Sequence, residues 1–276
     1  MTTTRAARLA PLVLVTLAIV IAVLVAPANA GRLDPNIAWA SPSRAHWLGA
    51  GEAGVDVLGV ISWGALRGGI LAVIVAILGF AIGTPLGALA ALRRGSFERV
   101  VERACDFAQA FPSFLLALAV LASVRTPTRF HLGVVFSITA WAPFARLALA
   151  ETRVLRHAAF VEAAFALGLE TRAVVTRHIL PNLLGTAAVQ LGSTASAVLV
   201  SEAALSFLGF GPRDGVSLGD VLGQGVAAML RAPHVLASSS LAIFLTSAAL
   251  LVAGTAAAIP SRSRRPSGNT AKKVRD

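Results

Sequence analysis

The chain has 276 residues, of which 56% are hydrophobic and 13% charged, and its mean hydropathy of +0.77 lies above the range of soluble globular domains. Its formal net charge is +11, but the basic residues are dispersed between apolar runs and not grouped with aromatic residues, which argues against nucleic-acid binding. Cys105 is the only cysteine and the five histidines are scattered, so the sequence offers no intrachain disulfide and no recognisable metal site.

Six apolar runs are long enough, or nearly so, to cross a hydrocarbon core of about 30 Å. The prediction is therefore an all-α polytopic membrane protein with about six transmembrane helices, at residues 9–28, 70–92, 107–124, 132–150, 183–210 and 235–260. The fourth run is the weakest, because its uncharged part is short and Arg146 must reach the interface. When both termini are placed in the cytoplasm, most arginines and lysines lie on the cytoplasmic side, as the positive-inside rule requires.

The first run has two interpretations. Arg5 and Arg8 precede it and Ala28-Asn29-Ala30 follows it, a pattern that also fits a secretory signal with a cleavage site. The run is longer than a usual signal core, so we expect it to stay in the membrane. Together with the mixed outer segment that follows, it makes up a first region at residues 1–69, ahead of a transmembrane domain at 70–260 and a basic cytoplasmic tail at 261–276 that lies near anionic lipid.

The second run carries Gly79, Gly83 and Gly87 at every fourth position, a small-residue face that predicts close approach of another helix. The charged residues 93–106 that follow include Glu98 and Glu102, which we interpret as a solvated helical extension of the third span.

A charged stretch at residues 146–182 interrupts the apolar runs. Within it, the apolar residues recur at i, i+3, i+4 and i+7, which predicts one apolar stripe on a short helix, made of Phe160, Ala163, Ala164 and Leu167 with Glu162 beside it. Gly168 is predicted to end this helix because glycine adopts left-handed backbone angles without a Cβ penalty. A second helical piece follows, and Pro181 is predicted to start the next membrane span.

This pattern of Glu-Ala-Ala at 162–164, Gly168 and Ile-Leu-Pro at 179–181 resembles the coupling loop of permease subunits in binding-protein-dependent ABC importers. The segment around His46-Trp47-Leu48-Gly49 and Asp56 resembles the dipeptide, oligopeptide and nickel branch of that family, specifically its second permease. The resemblance implies a bacterial inner-membrane location and an ATPase-coupling role for Phe160, Glu162, Ala163, Ala164, Leu167, Gly168 and Pro181. It also implies a second, different permease subunit, two ATPase subunits that bind ATP and Mg²⁺, and an extracytoplasmic solute-binding protein.

A second Glu-Ala-Ala, at residues 202–204, lacks the glycine spacing and the charged surroundings, so we assign it to the fifth span. Glu202 is then an ionisable residue inside a span, which suggests either a structural role, hydrogen-bonded by neighbours such as Ser201 and Ser206, or contact with the solute. We favour the structural role.

The chain lacks the glycine-lysine pattern of a P-loop and any recognisable catalytic spacing, so it is not predicted to be an enzyme or to bind a cofactor itself. The expected function is an ATP-driven importer permease for peptides or a related small solute. A proton-coupled secondary transporter is the alternative, but such proteins usually show an internal repeat with charges at mid-membrane.

Overall fold

A computed structural model describes residues 33–258 of the chain, and these residues form helices, two short 3₁₀ turns and one isolated β-bridge. We label the helices in chain order: α1 (Val57–Arg93), α2 (Gly95–Ala110), α3 (Ser113–Ser123), α4 (Arg129–Leu155), α5 (Ala159–Ala166), α6 (Thr171–Phe207), α7 (Leu218–Ala227) and α8 (Pro233–Ala257). The loop that contains α5 lies at one end of the bundle, here called the loop end. Residues 33–56 and α7 lie at the opposite end.

Helices α1, α4, α6 and α8 are each long and apolar enough to cross a membrane, and the bent pair α2 and α3 raises the number in residues 33–258 to as many as five. The all-α polytopic class is therefore confirmed. The predicted first span at residues 9–28, its alternative as a cleaved signal and the basic tail at 261–276 all lie outside the described residues.

Helix α1 begins at Val57, thirteen residues before the predicted start of this span at residue 70. The side chain of Asp56 caps the helix by accepting a hydrogen bond from the Gly59 amide at 2.8 Å. His46 approaches the other carboxylate oxygen of Asp56, with Nδ1 at 2.8 Å from Oδ2. The first turns of α1 are buried against α7 and the start of α8, so tertiary packing overrides a local composition rich in glycine.

Close packing of α1 against α4 forms the centre of the bundle, as the glycine spacing predicted. A Cβ added at Gly79, Gly83 or Gly87 would lie only 2.7, 2.1 and 2.1 Å from backbone oxygens of Ala140, Trp141 and Ala145, respectively. Real side chains do not reach such distances, so the α1 backbone touches α4 only because these positions are glycine.

The predicted continuous third span at residues 107–124 is wrong. Helix α2 ends at Ala110, and α3 continues at an angle of 64° after the Phe111-Pro112 step. Proline disfavours helical angles at the residue before it, and Phe111 accordingly has ψ of 122°. The bend directs α2 along the loop end of the bundle, where it contacts α4.

Candidate functional site: the loop between α4 and α6

Helix α5 is short and ends in a defined capping motif around Gly168. The Gly168 amide donates to the Phe165 oxygen at 2.9 Å, and the Leu169 amide donates to the Ala164 oxygen at 3.2 Å, the two bonds of a Schellman motif. Gly168 has φ of +81°, and an added Cβ would meet no atom within 4 Å. Glycine is therefore needed here for its backbone angle and not for space, as the sequence predicted.

The two faces of α5 have different environments. Val161 and Ala164 are buried in a cluster with residues of α1, α4 and the start of α6. Phe160 is 41% exposed and Leu167 81% exposed, and Ala163 between them is also exposed. Glu162 is exposed next to this face.

The predicted stripe of four residues is therefore wrong in one member. Ala164 is 4% exposed and packs inside this chain, so its small size serves the contact of α5 with its own bundle. The three exposed members of the stripe are Phe160, Ala163 and Leu167, and we call them the loop face; Phe165, which is 40% exposed, lies outside the stripe. Helical spacing alone did not distinguish the two sets because Ala164 lies at the edge of both stripes.

The second helical piece does not stop before the membrane span. Helix α6 runs without a break from Thr171 to Phe207 through a π-helical turn at Val175–Ile179, in which the Leu180 amide donates to the Val175 oxygen. The prediction that Pro181 starts a separate span is thus corrected. The wider π turn precedes the proline and accommodates its missing N–H within a continuous helix.

An ion-pair cluster at the loop end joins α2 to α4. Arg153 Nε donates to Glu98 Oε1 at 2.6 Å and Arg153 Nη2 donates to Glu102 Oε2 at 3.1 Å. Arg156 Nη1 donates to the Ala91 oxygen at 3.0 Å, which adds the end of α1. Residues 95–106 are helical, as the interpretation of a solvated helical extension predicted, but Glu98 and Glu102 also bridge to the helix that leads into the loop.

We expect Arg153→Ala to lower thermal stability by an amount on the order of 1 kcal/mol. The Arg153 side chain is 38% exposed and water screens the pair, and the substitution leaves the largely buried Glu98 carboxylate with only Arg156, whose Nη1 lies 4.0 Å away. The measurement is the melting temperature of the purified permease in detergent. Arg103→Ala is the control, since Arg103 lies exposed on α2, the helix of Glu98 and Glu102, and makes no ion pair within residues 33–258. Equal losses for the two variants would contradict a bridging role.

Glu202 lies in α6 toward the opposite end and is 1% exposed. Neither carboxylate oxygen has a hydrogen-bond partner among residues 33–258, and the Ser206 hydroxyl is likewise unpartnered. The expected bonding by neighbouring serines is therefore not present. A Cβ added at Gly68 would lie 3.2 Å from Glu202 Oε2, so the carboxyl group packs against the backbone of α1.

Two other charged groups at the opposite end, Arg129 and Asp220, have hydrogen-bond partners. Arg129 donates to Asp214 at 2.7 Å and to the Val216 oxygen at 3.1 Å. Asp220 accepts a hydrogen bond from the Ser217 amide at 2.9 Å as part of a capping box at the start of α7. Burial raises the pKa of the Asp220 carboxyl group, and the hydrogen bonds from Ser217 oppose the rise.

Glu202→Gln is expected to keep solute uptake near the wild-type rate and to raise the melting temperature. The amide has the shape of the carboxyl group, and a neutral group without partners costs less to bury than an ionised one. Uptake in membrane vesicles and melting in detergent measure the two effects. A collapse of uptake in a complex that assembles normally would assign Glu202 to the transport step.

A groove of about 350 Å³ opens between α4, α6 and the bend of α2 into α3. Its lining carries amide and hydroxyl side chains within otherwise apolar membrane helices: Gln109, Ser113, Thr139, Gln190, Ser193, Thr194 and Ser201. Of these residues only Ser201 was named from the sequence, as a neighbour of Glu202, and none was predicted to line a groove. The signal was available in α6, where Gln190, Thr194 and Ser201 recur at i, i+4 and i+11 in an apolar span.

The fold and the capped loop define this chain as a polytopic membrane permease. Residues 83–265 match the family described as binding-protein-dependent transport system inner membrane component. The glutathione transport system permease protein GsiD of Pectobacterium atrosepticum is 37% identical over 209 residues, covering 74% of this chain and 68% of the relative. GsiD of Escherichia coli is 35% identical with the same coverage. A chain of the MetNI methionine ABC transporter, solved in inward-facing conformations, shares the fold with a TM-score of 0.55 and 18% identity over 70% of this chain and 90% of that chain.

The chain therefore belongs to the family of binding-protein-dependent transport system inner membrane components. It is a permease subunit of an ABC importer and a multi-pass inner-membrane protein, and the alternative of a proton-coupled secondary transporter is wrong. The resemblance to the dipeptide, oligopeptide and nickel branch is confirmed.

Proposed function

We propose that the loop face of Phe160, Ala163 and Leu167 binds a groove on a separate ATPase subunit and transmits ATP-driven movement to the membrane helices. The observation that carries this proposal is the exposure of Leu167, 81%, on a helix whose other face is fixed in the bundle. An exposed apolar face on a short, rigidly capped helix is a surface for a partner protein. Glu162 beside it supplies a charge for a basic residue of that partner.

The contacts of α5 support the transmission of movement. Val161 and Ala164 pack on the same cluster as Ala88 of α1, Ala148 of α4 and Ile179 of α6. A push on the loop face therefore reaches three spanning helices through one packed core, which favours rigid-body displacement. Gly168 sets the angle between α5 and α6, and Pro181 lies where the π turn joins the span.

The importer that this proposal implies has four further subunits. Two ATPase subunits bind ATP and Mg²⁺ and hydrolyse ATP, a second and different permease pairs with this chain, and an extracytoplasmic protein delivers the solute. This chain binds no cofactor itself. The loop end, with both termini, lies in the cytoplasm.

The proposed solute is a short peptide or a related small molecule. The glutathione permeases among the relatives support this class, because glutathione is a tripeptide. The test is uptake of labelled glutathione and of short peptides by the full complex in proteoliposomes with ATP inside. Uptake of neither, by a complex that hydrolyses ATP in response to its binding protein, would refute the solute class.

A further inference from the structure

The groove between α4, α6 and the bend of α2 into α3 has two amide side chains in its lining, Gln109 and Gln190, beside several hydroxyl groups. Every residue that lines it is uncharged, and its polar groups are amides and hydroxyls. Polar side chains are costly on a surface that faces lipid, because hydrocarbon offers them no hydrogen bonds. A line of them along one face of a spanning helix therefore marks contact with water, solute or another protein chain.

The polar residues of α6 form a stripe. Gln190, Thr194 and Ser201 are on one side of the helix with Ala197 between them, and the stripe extends about 16 Å at 1.5 Å per residue. Large apolar side chains occupy neighbouring faces, including Val189 and Val200, which are 39% and 45% exposed. The polar character thus belongs to one face and not to the helix as a whole.

These polar groups retain bonding capacity. Gln190 Nε2 donates to Thr194 Oγ1 at 3.2 Å within α6. Thr139 Oγ1 donates to the Phe136 oxygen at 3.2 Å within α4, so neither bond crosses the groove. Within residues 33–258, the amide oxygen of Gln190 accepts no hydrogen bond. An amide offers two donors and an acceptor, so Gln190 can still bond to a group that enters the groove.

The opposite wall of the groove is where the chain bends. Phe111 and Pro112, at the 64° break between α2 and α3, line it, and so does Pro143 of α4. Arg153 ties α2 to α4 at the loop end, so a displacement of α4 by the loop also moves the helix that forms this wall. The groove therefore lies between the polar stripe of α6 and a wall that the loop end can move.

We propose that the stripe of Gln190, Thr194 and Ser201 is the part of this chain over which the solute crosses the membrane, with its amide and hydroxyl groups bonding to the amide groups of a peptide. Uncharged groups of this kind bind each peptide amide weakly and at several places, which suits a path that must release what it accepts. This inference rests on the proposed function and adds the residues that contact the solute.

The first experiment tests whether the groove is open in the assembled importer. Thr194→Cys, Ser201→Cys and the control Val200→Cys are made in a Cys105→Ala background and treated with a charged methanethiosulfonate reagent in membranes. Thr194→Cys and Ser201→Cys are expected to react at least about tenfold faster than Val200→Cys, because the reactive thiolate needs a hydrated environment. Equally slow reaction at all three positions would show that protein or lipid fills the groove, which would overturn the proposal.

The second experiment tests contact with the solute. Gln190→Leu combined with Thr194→Val is expected to reduce uptake of labelled tripeptide about tenfold, since two hydrogen-bonding groups are lost. ATPase recovery and ATP hydrolysis should stay at wild-type levels, whereas damage to the loop face would lower both. Wild-type uptake by the double variant would contradict the proposal. Failure of the wild-type complex to carry any peptide would refute the solute class instead, and the cysteine labelling would still decide whether the stripe lines a path.

Discussion

Replacing Leu167 by lysine is expected to lower solute uptake by at least about tenfold while the permease folds and inserts normally. Leu167 is 81% exposed and is not part of the buried cluster under α5, and a positive charge at the end of α5 agrees with the helix dipole. The free-energy cost of the substitution arises only when the charged lysine must enter an apolar groove on the ATPase subunit. Co-purification of the ATPase and uptake in vesicles measure the effect, and normal values for both would refute the coupling assignment.

Ala164→Trp is the contrasting variant on the same helix. Ala164 is 4% exposed and packs within the chain, so a large side chain there disrupts the permease itself, at a cost of about 1–3 kcal/mol or more. Its melting temperature should fall, whereas that of Leu167→Lys should not. A stable Ala164→Trp permease that fails only to recover the ATPase would mean that Ala164 faces the partner after all.

A matched pair of glycines separates backbone strain from coupling. Gly168 ends α5 and Gly209 ends α6 with the same Schellman bonds, at φ of +81° and +84°, and neither would have an added Cβ in contact. Valine at either position carries a similar local strain, roughly 1–2 kcal/mol. We expect Gly168→Val to misplace the loop face, and therefore to lower co-purification of the ATPase subunit and abolish uptake. Gly209→Val should preserve co-purification of the ATPase subunit. Equal loss of ATPase recovery would attribute the effect to instability alone.

Gly83→Ala is expected to be among the most destabilising methyl additions in the described part of the chain. The new Cβ would lie 2.1 Å from the Trp141 oxygen, so α1 and α4 must separate or bend, which costs about 1–3 kcal/mol. Gly69→Ala is the matched control in the same helix, because its Cβ would meet no atom within 4 Å and alanine favours helix. The measurement is the yield and melting temperature of purified protein. Similar values for the two variants would contradict close packing of α1 on α4.

The sequence by itself determined the properties that depend on composition and short spacing. Apolar length predicted membrane-spanning helices, the every-fourth-residue glycines predicted the close approach of α1 and α4, and Gly168 predicted the capped turn after α5. These predictions hold because each depends on a residue's own geometry or on its neighbours within a turn.

Tertiary structure decided the features that depend on what a helix meets. Four features each require the position of a second helix: the start of α1 at Val57, the burial of Ala164, the bridge from Arg153 to Glu98 and the groove beside Gln190. Arg153 and Glu98, for example, are 55 residues apart in the chain. A helical repeat gives the faces of a helix but not the partner that each face contacts. Only packing distinguished Ala164, which holds the loop to the bundle, from Leu167, which the loop presents outward.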